Sequence, residues 1–305
     1  MSAAPREPYR PKVASIRRFA VVLAAAVAGI SLGAGCSADR DAAAGQAALD
    51  AHQLSEAERA FRSALDRDPN HPGALGGLGW TYQLAGQRDA ARASFRRCVD
   101  LAPGRADCLR GLASVAMADG ELAQARGLLG EAKAAAPDDL RVEASLALLS
   151  LAQGEVERAA ERYAALVVLA PESADYKLGL AECRLRQGEP LEALRLVDEA
   201  LAAPEARARP RAMALQLKAR ALVGATSGRE DPADCAGSAP PLRAWLDAAV
   251  EAADAAEAVG VGLPELPAVR RLINRRRAAI DAVCPPELPA ADDLLRAPEP
   301  SAPRN

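Results

Sequence analysis

Four prolines, Pro69, Pro103, Pro137 and Pro171, stand 34 residues apart, and four glycines, Gly86, Gly120, Gly154 and Gly188, keep the same period. Proline offers no N–H and biases its predecessor away from helix, so it closes a helix. Glycine takes the positive φ that a helix C-terminus wants. The two ladders therefore cut the chain into helix pairs, each joined at a glycine and closed at a proline. One pair cannot bury its apolar stripe alone, so the pairs must stack. Composition agrees: half of the chain is apolar, mostly Ala and Leu, and only 3% is aromatic. Ala and Leu form helices readily, and the residues that favour strands are scarce. The expected class is all-α.

The second unit, "LGGLGWTYQLAGQRDAARASFRRCVDLAP" over residues 75–103, carries a known signature. Leu78-Gly79, Tyr82, Ala91, Phe95 and Pro103 fall on the marker positions of the tetratricopeptide repeat, whose period is 34 residues. Leu75 takes the place of the usual Trp. Gly45, Ala57, Phe61, Ala64 and Pro69 keep the frame in the first unit, and Leu112, Ala125, Leu129, Ala132 and Pro137 in the third. Leu146, Ala159, Tyr163 and Pro171 keep it in the fourth; Leu180, Ala193, Val197 and Ala200 in the fifth, where Pro204 comes one place early. Residues 38–206 thus resemble this family. The resemblance implies an α-solenoid, a right-handed superhelix of five helix hairpins over 41–206. Small Ala57, Ala91, Ala125, Ala159 and Ala193 let the second helix of each pair lie close to the first. Phe61, Phe95, Leu129, Tyr163 and Val197 fill the space between units.

In such a solenoid the first helices line a concave face that holds a partner's helix or extended segment. Carried over by repeat position, that face includes Leu49, Trp80, Gln83, Arg110, Met117, Arg141, Leu148, Leu151, Leu178 and Leu185. The set is apolar with a few arginines at its edge, and Trp80 is the expected anchor. It lacks the Lys/Asn set with which cochaperones of the family clamp a terminal carboxylate. The competing reading makes the leucines ordinary core, or covers them with the chain's own C-terminal helices.

The N-terminus sets the expected compartment. Arg6, Arg10, Lys12, Arg17 and Arg18 precede an uncharged run from Phe19 to Cys36, the order of a secretory signal. The run is short and Ala/Gly-rich for a membrane span, which needs about 20 well-apolar residues. Ala34-Gly35-Cys36, with Leu32 upstream, resembles a bacterial lipobox, although Gly33 stands where the family prefers Leu. That resemblance implies a signal peptide over 1–35, lipidation of Cys36, and an anchor and linker over 36–40. Ser37, in place of Asp, points to the outer membrane by enterobacterial sorting rules. An uncleaved anchor at the inner membrane, or a secretory signal with an incidental cysteine, is the alternative. Without residues 1–35 the chain keeps 33 basic against 40 acidic residues, a net charge of about −7. That disfavours nucleic acid or a broad anionic surface as partner.

Beyond the repeats, residues 207–284 read as an atypical helical repeat and cap. Helices are expected over 208–223, from about Leu242 to Val259 and from about Glu265 to Val283. An irregular loop is expected over 224–241, and a disordered Pro-rich tail over 285–305. Arg270, Arg271, Arg275, Arg276 and Arg277 form either a basic patch or a solvated helix face. Cys98 and Cys108 flank the Pro103 turn on antiparallel helix ends, so a disulfide could join them. Cys235 and Cys284 bracket the last helices, where a bridge would contribute roughly 4 kcal/mol in the chain-entropy model. Cys183 is expected to be a small buried hydrophobe. With two histidines, no CxxC and no phosphate-binding glycine loop, the sequence offers no metal, cofactor or catalytic set. The expected function is that of a lipid-anchored periplasmic scaffold, not an enzyme, that grips protein segments of an envelope complex for secretion, pilus assembly or motility. The alternative is a repeat domain that presents substrate to a C-terminal catalytic region.

Overall fold

The computed structural model describes residues 37–202, 208–227, 229, 235–260 and 263–285. The expected signal peptide, Cys36 and residues 286–305 of the tail lie outside the described residues. Every regular element among the described residues is a helix: α1 over 37–50, α2 Leu54–Arg67, α3 Pro72–Leu84, α4 Arg88–Leu101, α5 Ala106–Ala118, α6 Leu122–Ala135, α7 Leu140–Ala152, α8 Val156–Leu169, α9 Ala174–Arg186, α10 Pro190–Leu201, α11 Ala208–Ala225, α12 Cys235–Ala258 and α13 Leu266–Val283. They belong to two compact units, Met1–Leu149 and Ser150–Asn305, whose boundary falls inside α7.

Both ladders act as the backbone argument requires. The residues just before the prolines, Asp68, Ala102, Ala136 and Ala170, leave the helical region, with φ between −132° and −140° and ψ between 74° and 92°. Inside each hairpin the glycine is left-handed, with φ of 76° at Gly86 and 79° at Gly120, Gly154 and Gly188. The N–H after it donates back to the preceding helix, Gln87 to the Tyr82 carbonyl at 2.8 Å and Glu121 to the Ala116 carbonyl at 2.8 Å, which is the Schellman closure. In the first hairpin this position is His52, with φ of 62°, and Gln53 N–H still donates to the Ala48 carbonyl at 2.9 Å. The joint is imposed by the stack even where a Cβ opposes it.

In the first unit the core follows one packing rule. The Phe61 ring lies against Gly45 of its own hairpin and Gly77 of the next; the Phe95 ring lies against Gly79 and Gly111 in the same way. A Cβ on Gly79 would stand 2.6 Å from the Phe95 ring, and one on Gly77 or Gly111 would overlap a ring outright. The second unit repeats this once, with Tyr163 against Gly179. Aromatic bulk between hairpins thus demands a glycine on the following helix. Where the filler is only Leu129 or Val197, the residue at that place is Ser145 or Met213.

The end of the second unit departs from the template. Helix α10 has 12 residues where α4 has 14, and its cap Ala202 stays in the helical region. Helix α12 begins at Cys235, seven residues before the expected Leu242, and runs through Pro240 and Pro241. The expected loop over 224–241 is correspondingly shorter, with a turn at 226–227 and with residues 228 and 230–234 outside the described residues. Two prolines remove two ladder bonds. Burial of Ala239, Leu242 and Leu246 in one core with α11 and α13 offsets that loss. In helix α13, Leu266, Val269, Ile273 and Ile280 form the buried face. Three of its arginines are structural. Arg270 pairs with Asp254 at 2.7 Å, Arg277 with Asp247 at 2.5 Å, and Arg276 donates to Thr226 Oγ1 at 3.0 Å.

Candidate functional site

In the first unit α3 and α5 are successive first helices of their hairpins, packed side by side, and the expected inner face runs across them. Trp80 lies half-buried at its centre, and three neighbours fix its ring. The indole N–H donates to Asp107 Oδ1 at 3.0 Å. The Phe95 ring meets it edge-on, with centroids 5.2 Å apart. The Arg110 guanidinium lies over its face, 4.3 Å from the centroid, an interaction of about 0.5–1 kcal/mol or more once desolvated. Arg110 Nη2 donates to the same Asp107 oxygen at 3.0 Å. One carboxylate therefore holds both sides of the stack.

One turn along α3, Gln83 Nε2 donates to Ser114 Oγ at 3.3 Å. At the start of α7, Arg141 grips Asp139 with two bonds of 3.1 and 2.9 Å. Those bonds hold the Asp139 carboxyl below the usual carboxylate range. The Arg110 side chain is only 18% exposed. Burial pulls its pKa down, against the pull of Asp107. Its Nε, and Oε1 of Gln83, are buried without a hydrogen-bond partner. A buried polar atom left unpaired costs about 1–3 kcal/mol. Met117 and Leu49 are half-buried against the core, while Leu148 is 48% exposed.

In the second unit the expectation of an apolar face is corrected. Leu151 and Leu178 are core residues, each 5% exposed, and Leu185 is half-buried. Arg186 reaches across to the Leu151 carbonyl at 3.2 Å and helps cover it. The polar surface here is ionic: Glu182 pairs with Arg186 at 2.9 Å and with Arg220 at 2.7 Å. The set carried over by repeat position left out Glu182 and Arg220, and in the first unit Asp107. All three lie on first helices of their hairpins, among the residues from which the leucines and Trp80 were chosen, so listing charged residues there would have found them.

A disulfide joins Cys98 at the end of α4 to Cys108 at the start of α5, with Cα atoms 6.1 Å apart. It stands next to Asp107, behind the Trp80 stack. Cys284 is buried and disulfide-bonded, and the side chain of Cys235 lies outside the described residues. Cys183 is a free, buried thiol whose pKa burial pushes up to about 11. No cluster of His, Cys, Asp and Glu suited to a metal ion occurs among the described residues. None of their helices is long and apolar enough to cross a membrane.

Two family models, each described as Tetratricopeptide repeat, match the chain, one over residues 48–97 and 84–149 and the other over 145–222. Together they span more than half of it. The chain belongs to the tetratricopeptide-repeat family. A fold of this kind is typically a non-catalytic scaffold that binds proteins or peptides. No curated protein sequence matches the chain. Among solved structures, the thermophilic tetratricopeptide-repeat protein TTC0263 of Thermus thermophilus aligns at 21% identity and a TM-score of 0.53, over 59% of this chain and 98% of that one. PilW, described as a widely conserved type IV pilus biogenesis factor, aligns at 17% identity and a TM-score of 0.51, over 76% of this chain and 98% of that one. PilF of Pseudomonas aeruginosa aligns at 19% identity and a TM-score of 0.50, over 78% and 99%. At these identities the likeness is one of fold.

Proposed function

We propose that the protein is a lipid-anchored scaffold on the periplasmic face of the outer membrane, which holds a segment of an envelope-complex protein against the inner face of its first unit. The observation that carries the binding site is the Trp80–Arg110 stack held by Asp107. It presents a half-buried aromatic and a desolvated cation beside two unpaired polar atoms, with Leu148 open to solvent. Such a face suits a mixed segment: apolar side chains on the indole edge and Leu148, and polar groups toward Arg110 and Gln83. The compartment rests on the basic, apolar and Ala-Gly-Cys order of residues 6–36, and the Cys98–Cys108 disulfide is at home in an oxidising space. Assembly of a pilus or a related machine is the favoured setting, since PilW is described as a pilus biogenesis factor.

Crosslinking in intact cells, followed by recovery of the protein from membranes, tests the site. Trp80→Ala and Arg110→Ala should each reduce one recovered partner at least about tenfold, the loss of a 1.4 kcal/mol contact, while helical circular dichroism is kept. Equal recovery would remove the stack from the site. For the anchor, Cys36→Ala should leave the chain unprocessed and the acyl mass absent. A variant processed and fractionated like the wild type would overturn lipidation.

A further inference from the structure

The first helices that start in the first unit do not start alike. Helix α3 is capped by His71, whose Nδ1 accepts the Ala74 N–H at 3.0 Å, and α7 by Asp139, whose Oδ1 accepts the Arg141 N–H at 2.9 Å. Such a cap fixes the first turn by satisfying an N–H that the helix itself leaves open. Helix α5 has Arg105 at this place, and its side chain makes no capping bond. The turn before it is Pro103-Gly104, and glycine loosens a turn. Yet the first turn of α5 carries Asp107, the carboxylate that holds Trp80 and Arg110. What ties it down is the next residue, Cys108, which is bridged to Cys98 in the last turn of α4. A Cβ on Gly76 of α3 would stand 3.0 Å from Cys108 Sγ, 3.3 Å from Asp107 Oδ2 and 3.9 Å from Cys98 Sγ. Bridge and carboxylate thus rest on the same bare spot of α3.

We infer that the Cys98–Cys108 disulfide positions Asp107, so that the Trp80–Arg110 face is complete only in the oxidised chain. The inference rests on that face being the binding site. With two thiols instead, Asp107 sits on a turn held by neither cap nor bridge, and the indole N–H and the Arg110 guanidinium lose a fixed acceptor. Closing the bridge is an exchange with an oxidant that is itself a disulfide. The thiolate of one cysteine attacks an oxidant sulfur, the other cysteine displaces the mixed disulfide, and two electrons and two protons leave with the oxidant as a dithiol. Cys98 and Cys108 are each 0% exposed, so the exchange belongs to folding, and the closed bridge is out of reach of a dissolved reductant. The device therefore acts once. A chain still in a reducing compartment folds its repeats but grips weakly, and one that has entered an oxidising space grips its segment.

The full chain with Trp245→Phe, which leaves Trp80 as its one tryptophan, tests this. Acrylamide quenching of its fluorescence is read well below the melting temperature of each variant, at matched helical circular dichroism. Cys98→Ala with Cys108→Ala should raise the quenching and shift the emission to the red, as far as Asp107→Ala does, and combining all three should add nothing further. Arg105→Asp in the cysteine-free chain, which supplies the kind of cap that Asp139 gives α7, should return most of the original signal. In intact cells the cysteine-free chain should recover the crosslinked partner about tenfold less, as Trp80→Ala does. A bridge that only stabilises would lower the melting temperature and leave the Trp80 signal unchanged below it, which would overturn the inference. Additive effects of the cysteine and Asp107 changes would overturn it too. Equal recovery by the cysteine-free chain would do so where Trp80→Ala reduces recovery; where Trp80→Ala leaves recovery unchanged, the proposed site fails and the inference falls with it.

Discussion

The first unit and the end of the second solve one problem with different means. In α2–α6 every hairpin closes the same way, and the aromatics Phe61 and Phe95 are received by glycines. In α10–α13 the closing proline is out of register, a proline pair sits inside a helix, and contacts from Arg270, Arg276 and Arg277 lock the cap. Repetition lets backbone marks set the geometry. Where the repeat ends, side chains must set it individually. Stability in the first unit should therefore depend on a few small residues, and in the cap on the summed contribution of many contacts.

The sharpest test of that contrast is Gly111→Ala, which places a methyl inside the Phe95 ring. It should cost about 3 kcal/mol in chemical denaturation, at the upper end of overpacking effects. Adding Phe95→Leu should recover more than half, since the Leu129–Ser145 pair shows that a smaller filler tolerates a Cβ. Full additivity would break the rule. Next in size, replacing both Cys98 and Cys108 by Ala should cost about 2–3 kcal/mol in the chain-entropy model, with the loss centred on α4 and α5 in hydrogen exchange. Gly120→Ala should cost about 1–2 kcal/mol through the left-handed backbone alone, because its surroundings are empty within 4 Å. A larger loss would mean that the joint carries a contact as well.

The smallest effect is that of acid. Asp139 and Asp41 in the first unit are held below their ordinary value of 3.8, each chiefly by a side-chain hydrogen bond, from Arg141 and from Ser63. Their folded forms bind fewer protons than the unfolded chain, so their contribution is complete above about pH 3.8 and is lost as pH falls through the lowered values. The melting temperature should drop less steeply below about pH 3.8 once Asp139→Asn and Asp41→Asn are in place.

Most of the fold was legible because proline and glycine act on the backbone directly, and their period survives any change in the side chains between them. The pairing of Phe95 with Gly111 was also open to reading, since both repeat in fixed places. The true start of α12 was not. Pro240-Pro241 look like a stop, and only the core made with α11 and α13 shows what offsets them. Of the arrangement proposed as the site, repeat position points to Trp80 and Arg110, but the role of Asp107 depends on two helices meeting on one oxygen across 27 residues of chain. The burial of Leu151 and Leu178 was not legible, because a repeat position does not say how deep a side chain sits; at Leu151, Arg186 also reaches the backbone carbonyl.

The uniform joints have a further consequence for how such a protein can change its length. Because each hairpin ends in the same backbone state as the one before, excising Pro72–Arg105 whole would bring Ala106 to where Pro72 had been and leave the next helix correctly aimed. Cutting out one residue more or fewer would rotate everything downstream by about 100°, the angle between adjacent helical residues, and turn buried leucines outward. Insertions and deletions in the regular part of the chain should therefore come in whole steps, while the cap, which keeps no 34-residue period, should tolerate single-residue changes only between its helices.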